Sequence, residues 1–226
     1  MARRRRTRRV PIALGLALLV VAGAVVWLAA TRFGGRGDLT APPLEVGADR
    51  IDAANDGRRV RLSGRLAYAR PPRDAELGVS AEAAILLRHV EMYQWHERCD
   101  AGDCRYAAAW SAEHVDSRRF RAPAGHENPP FPFADARFAA AGLRLGAFAV
   151  DADVVAAELA AVDHPVRIDA LPPNLAASFR EFHGVLYAGD DPEHPAIGAL
   201  RVSYRIVPAG EAKLTGVQRG ERLAAQ

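Results

Sequence analysis

Hydrophobic and polar positions fall into three regimes along the chain. Val10 to Thr31 runs 22 residues without a charge, behind six arginines in residues 1–9. At 1.5 Å rise per residue, about 20 residues cross a bilayer core, so this run predicts a transmembrane helix over residues 10–31. Residues 32–57 are rich in Gly, Pro and Asp and carry no long apolar run, which predicts a linker. From residue 58 onward the pattern changes to short alternating stretches. Val60, Leu62, Gly64, Leu66 and Tyr68 point one way and Arg59, Arg61, Ser63 and Arg65 the other, the period of a half-buried strand. Leu200, Val202, Tyr204 and Ile206 alternate in the same way with Arg201, Ser203 and Arg205, and Phe182–Ala188 reads as a strand before them. Pro165–Ala170 is expected as a short strand and Leu214–Leu223 as a weaker one, interrupted by Gly216 and Gly220. Helices are expected over Val154–Val162, with Asp151 or Asp153 as N-cap, and after Pro172 and Pro173. Residues 138–148 fit a helix or a strand. Together these elements predict an α+β, β-rich domain over residues 58–226, a mostly antiparallel sheet or distorted barrel with a few short helices.

The densest bulky stretch is Ile85–His96. Neither of its period-two faces is cleanly apolar, so the strand is expected to be covered on both sides for part of its length. Cys99-Asp100-Ala101-Gly102-Asp103-Cys104 supplies turn chemistry, and Arg105–Val115 follows as a second strand. A four-residue hairpin loop would set Cys99 opposite Cys104, Glu97 opposite Tyr106, Trp95 opposite Ala108, Tyr93 opposite Trp110 and His89 opposite His114. Opposed cysteines in a hairpin have Cβ atoms close enough for a bridge. Tyr93, Trp95 and Trp110 are expected in the core. Four prolines in residues 117–135 predict a long ordered loop, pinned by Phe120, Phe131 and Phe133.

Charge refines the picture. The formal net charge is +3, yet residues 1–36 hold eight arginines and no acid. Removing those 8 from 30 basic residues leaves 22 against 27 acids, so the domain is acidic and has no basic stripe for nucleic acid. The arginine block, Arg3 to Arg6 included, should stay cytoplasmic, with Trp27 near one interface and residues 32–226 on the far side. The hydrophobic run is too long for a cleaved signal, and cutting after Ala29 or Ala30 would leave Trp27 or Leu28 at the −3 position. On the far side of a membrane a Cys99–Cys104 disulfide is the simplest account of the pair, since a metal would need two or more further ligands.

Candidate chemistry is sparse. His89, Glu91 and His114 are a metal-ligand set in type, with His126 as an outlying member, but no HExxH spacing supports them. Ser63 and Ser203 lack a nucleophile elbow, and there is no phosphate-binding glycine loop. No cofactor and no enzymatic activity are expected.

Several stretches nevertheless resemble a known family. Arg88-His89-Val90-Glu91-Met92-Tyr93-Gln94-Trp95 is similar to the signature of the LUMA (transmembrane protein 43) family. Asn55-Asp56-Gly57 with Val60–Gly64, Gly125-His126-Glu127-Asn128-Pro129, Gly198-Ala199-Leu200-Arg201-Val202-Ser203 and Gln218-Arg219-Gly220 resemble further family pieces in order. Family members continue into a cluster of C-terminal transmembrane helices that this sequence lacks, so it resembles a short or truncated member; the Arg-rich, Lys-poor composition suggests a bacterial one. The resemblance implies a membrane-organising scaffold. In eukaryotes such proteins lie in the inner nuclear membrane and endoplasmic reticulum, bind other membrane proteins and self-associate; in a bacterium the domain would face the periplasm. The implied partners are the lipid bilayer, other membrane proteins or further copies of the chain. Two other readings are a metal-binding or hydrolytic domain centred on His89, Glu91 and His114, and a lipid-binding barrel.

Overall fold

The computed structural model describes residues 42–226. The predicted span over residues 10–31 and the basic tail, with Arg3, Arg4, Arg5, Arg6 and Trp27, lie outside the described residues. Among the described residues no helix is long and apolar enough to cross a membrane.

Two sheets make up the domain. The first holds β1 (Leu44–Gly47), β2 (Arg59–Ala67), β6 (Arg144–Leu145), β7 (Phe148–Val150), β12 (Gly210–Arg219) and β13 (Arg222–Ala224). Its hydrogen-bonded order is β1-β2-β12-β13-β7-β6, and β6 pairs back onto β2, so five strands close a barrel. β1 lies within the stretch expected to be linker. It pairs in parallel with β2, Leu44 beside Val60 and Val46 beside Leu62. The expected final strand is a hairpin, because Gly220 takes φ 57° and turns β12 into β13.

The barrel interior is filled. Val60, Leu62, Leu145, Leu214 and Leu223 are 0 % exposed and Phe148 is 1 %. Each buried aliphatic side chain of this size stabilises by about 1.5–3 kcal/mol. Five strands enclose a narrow interior, which these side chains occupy. Helix α1 (Ala152–Glu158) covers β12 and β13 with Val154 and Val155. Asp151 occupies its N-cap position without capping; its carboxylate accepts from Arg222 Nη1 at 2.8 Å instead. The helix stops at Glu158, short of the expected end, because β8 (Val162–Asp163) pairs with the second sheet.

That second sheet is built on β3 (Ile85–Asp100) and runs β4-β3-β11-β10-β9, with β4 (Asp103–Ser111), β9 (Arg180–Phe182), β10 (Val185–Ala188) and β11 (Leu200–Val207). β5 (Ala136–Ala139) also pairs with β3, at Ile85–Arg88, and β8 pairs with β11. Residues 138–148 therefore hold no helix: they comprise the end of β5, all of β6 and the first residue of β7, joined by turns. Pro165–Ala170 is not a strand: Pro165 offers no N–H, and Ile168–Ala170 forms a 3-10 turn. The expected second helix is a single turn, α2 (Pro173–Ala176). Leu86, Val90, Met92, Leu186, Leu200 and Val202 face a second core, closed from below by Leu77, Val79, Leu171 and Phe179.

The β3–β4 hairpin keeps the predicted register, with Cys99↔Cys104, Glu97↔Tyr106, Trp95↔Ala108 and Tyr93↔Trp110. Its loop holds two residues rather than four. Ala101 and Gly102 take φ 46° and 99°, the double positive φ of a tight turn matched to strand twist. The sulfurs of Cys99 and Cys104 lie 2.01 Å apart, at bonding distance.

Candidate functional site

Three of the family-like stretches, Arg88–Trp95, Gly125–Pro129 and Gly198–Ser203, meet on β3. Leu200, Arg201, Val202 and Ser203 of β11 pair with Met92, Glu91, Val90 and His89 of β3. One face of this pair is buried. On it Arg88 and Gln94, 6 % and 0 % exposed, interrupt an otherwise apolar row. A buried guanidinium requires anionic partners. Asp74, itself 0 % exposed, accepts from Arg88 Nη1 at 2.8 Å and from the Tyr204 hydroxyl at 2.7 Å. Its other oxygen accepts from the Glu76 and Leu77 amides. Arg88 Nη2 pairs with Glu76 at 2.8 Å, and Nε donates to Ala134 O. Burial, then the hydrogen bond to Asp74, pushes the Tyr204 phenol well above its ordinary range. Gln94 donates to Glu113 O and accepts from Val115 N, holding the chain that leaves β4.

The opposite face is half-covered and carries the polar and aromatic residues. Tyr93, Trp95 and Trp110 lie here, not in the core as expected, because the chain covers that face only with a loop. The guanidinium carbon of Arg201 stands 4.1 Å from the Trp110 ring centre, and Nη2 bonds Glu91 at 2.8 Å. Tyr93 and Trp110 pack at 5.4 Å. A cleft of about 390 Å³ runs over Glu91, Trp110, Arg201, Ser203, Phe182 and Tyr187. A second, of about 620 Å³, is lined by His89, Asp135, Arg137, Ser203 and Arg205.

Where β3 has no neighbouring strand, side chains complete its edges. Between β5 and β4, Asp135 Oδ1 accepts from Val90 N at 2.7 Å while Oδ2 meets His89 Nδ1 at 3.0 Å. Beyond the start of β11, Asn128 Oδ1 accepts from Trp95 N at 2.7 Å, and Nδ2 donates to Trp95 O at 2.9 Å and Val115 O at 3.1 Å. The Gly125–Pro129 motif is thus a clip. Gly125 turns at φ 82°, His126 stacks on Tyr106 at 3.8 Å and meets Trp95 edge-on, and Pro129 abuts Gly198. At the barrel, Asn55-Asp56-Gly57 and Gln218-Arg219-Gly220 are likewise joined, Gly57 N donating to Gln218 O and Gly220 N to Asp56.

The expected His89–Glu91–His114 cluster does not form. β4 ends at Ser111, so His114 never reaches His89, which faces Ser203; His114 lies edge-on to Phe131. Among the described residues the only three ligand-type groups that converge are Glu97, Cys99 and Cys104, and both thiols are spent in the disulfide. Asp135 orients His89, yet no hydrogen bond joins Ser203 to His89 among the described residues. The face offers paired charges, stacked rings and clefts, the means of recognition. Asp74, Asp135 and Tyr204 were not anticipated. The signal for Asp74 was Arg88 itself, alone on a face of Leu86, Val90 and Met92.

Residues 92–225 match the model of the family described as Transmembrane protein 43, more than half of the chain. Transmembrane protein 43 of Rattus norvegicus is 27 % identical over 199 residues, covering 75 % of this chain and 47 % of the relative. The Homo sapiens protein is 26 % identical over the same shares. A Drosophila melanogaster homolog is 27 % identical over 164 residues, 66 % of this chain and 43 % of its own. The chain spans about half the length of the curated relatives it matches. No solved structure matches it. The chain belongs to the transmembrane protein 43 family.

Proposed function

We propose that this protein is a membrane-anchored scaffold whose domain, beyond the membrane from the basic N-terminus, gathers membrane-protein partners or further copies of itself. One observation carries the reading. The strands that carry two of the family-like stretches, β3 and β11, pair in register and turn Glu91, Tyr93, Arg201 and Ser203, with Trp110 from β4, toward an open face. Trp, Tyr and Arg are the residues enriched where proteins bind one another. The run over residues 10–31 supplies the anchor, and the arginine block sets its orientation. The protein is not an enzyme in this reading.

The test is photo-cross-linking in native membranes followed by mass spectrometry. A carbene-type reagent is required because Lys213 is the single lysine. Discrete partners or a homo-oligomer captured on the domain are expected; monomer alone refutes the scaffold.

A further inference from the structure

Among the described residues, the sheet built on β3 ends, on one side, in β4, with no strand paired beyond it. β4 pairs with β3 along its whole length. In an antiparallel ladder, opposed residues alternate between pairs that exchange hydrogen bonds and pairs that turn their N–H and C=O groups away. The phase is fixed here from β3. Tyr93 N donates to Ala199 O and Trp95 N to Asn128, so Tyr93 and Trp95 turn away from β4. Their partners Trp110 and Ala108, and by alternation Tyr106 and Cys104, therefore present N–H and C=O to the outer edge. Among the described residues none of these four backbone positions has a hydrogen-bond partner there.

Exposed edges invite pairing, and proteins blunt them with brevity, Pro, Lys, bulges or charge. β9, at the other end of the sheet, is blunted: it has three residues, and Arg180 and Glu181 are exposed. β4 is not. It has nine residues, about 30 Å of strand, with no Pro and no Lys, and its charges, Asp103 and Arg105, sit at the turn end. Its middle is Ala107-Ala108-Ala109, which fences off nothing.

We infer that two copies of this chain join by antiparallel pairing of β4 with β4 about a two-fold axis at Ala107. The strand is self-complementary in that register. Ala107 faces Ala107, Tyr106 faces Ala108, Arg105 faces Ala109, Cys104 faces Trp110 and Asp103 faces Ser111 of the second copy. All four outward positions of each strand find a partner, and the large Tyr106 meets the small Ala108. A shift by one residue would set outward groups against inward ones. A two-fold operator makes the contact isologous, so it closes at two chains rather than growing into a fibre. The inference rests on the self-association arm of the scaffold reading and names its surface.

The experiment uses the full chain in native membranes. Ala107 is exposed and its side chain touches no core, so substitution leaves the fold alone. With both native cysteines bridged, Ala107→Cys under mild oxidation should give a disulfide-linked dimer at least tenfold more abundant than Ala109→Cys, which faces Arg105 of the other copy. Ala107→Lys alone and Ala107→Glu alone should each abolish the dimer, and co-expressing the two should restore it. Oligomers that persist without Ala107 cross-linking, or that ignore both charge variants, overturn this surface and leave the scaffold standing. A chain that captures other proteins but never itself also overturns this surface. A wild-type chain that captures nothing overturns both.

Discussion

Asn128 gives the sharpest test of how the loop is held. Its side chain makes three hydrogen bonds, to Trp95 N, Trp95 O and Val115 O, while its own amide donates to Ser117 Oγ and survives substitution. Asn128→Ala removes all three. At about 1 kcal/mol net each, the loss is about 3 kcal/mol, reduced toward 2 because the site is half-buried and water can reach the freed groups. Asn128→Asp keeps the shape and the bond from Trp95 N–H, but sets a carboxylate oxygen against two carbonyls. It should cost at least as much as Asn128→Ala at pH 7. The two carbonyls favour the protonated carboxyl, so its folded pKa lies above the unfolded value near 3.9. Stability is then highest below that value and falls as pH rises through the folded pKa, opposite to an ordinary surface Asp. Urea unfolding of the full chain in neutral detergent, with hydrogen exchange at the Trp95 amide, reads both effects. A loss under about 0.5 kcal/mol for Asn128→Ala, with Trp95 protection unchanged, would refute the clip.

Other expectations follow from the same contacts. Arg88→Met removes the cation paired with Asp74 at 0 % exposure and should cost about 3–5 kcal/mol in urea unfolding, whereas adding Asp74→Asn, which drops the charge and still accepts from the Glu76 and Leu77 amides, should recover part of it. Tyr204 has its pKa raised by burial, so the folded phenol stays protonated where the unfolded one ionises; stability should fall above about pH 10, and Tyr204→Phe should flatten that fall in alkaline titrations. Replacing Cys99 and Cys104 by Ala opens a loop of six residues and should lower stability by about 2 kcal/mol without unfolding the chain, as followed by thermal melting.

The hairpin was legible because its cross-strand partners are chemically specific: two cysteines, a large-small pair and an aromatic pair fit only one register. Its turn length was not, since a left-handed Ala101 is a choice sequence rarely signals. Extending the same register to His89 and His114 failed because β4 leaves the sheet at Ser111, and Gln94, a polar residue on a buried face, holds the departing chain. The aromatic trio looked like core by composition; which face of a strand is covered depends on a loop distant in sequence, as His126 and Asn128 against Trp95 show. Barrel closure was hidden for a related reason. β6 and β7 total five residues, too short for periodicity, yet they supply the step that joins β13 back to β2.

The closed ring has a kinetic consequence. β2 pairs with β12, Leu62 beside Leu214, and β13 pairs with β7, so the ring completes only through residues near position 224. Synthesis delivers β2 some 150 residues before its partner, and non-local pairing of this kind folds slowly. Until then β2 presents an unpaired apolar edge to whatever is nearby. A chain of this design should depend on a holding chaperone in its compartment, and mutations in β13 should appear as losses of yield rather than as losses of binding.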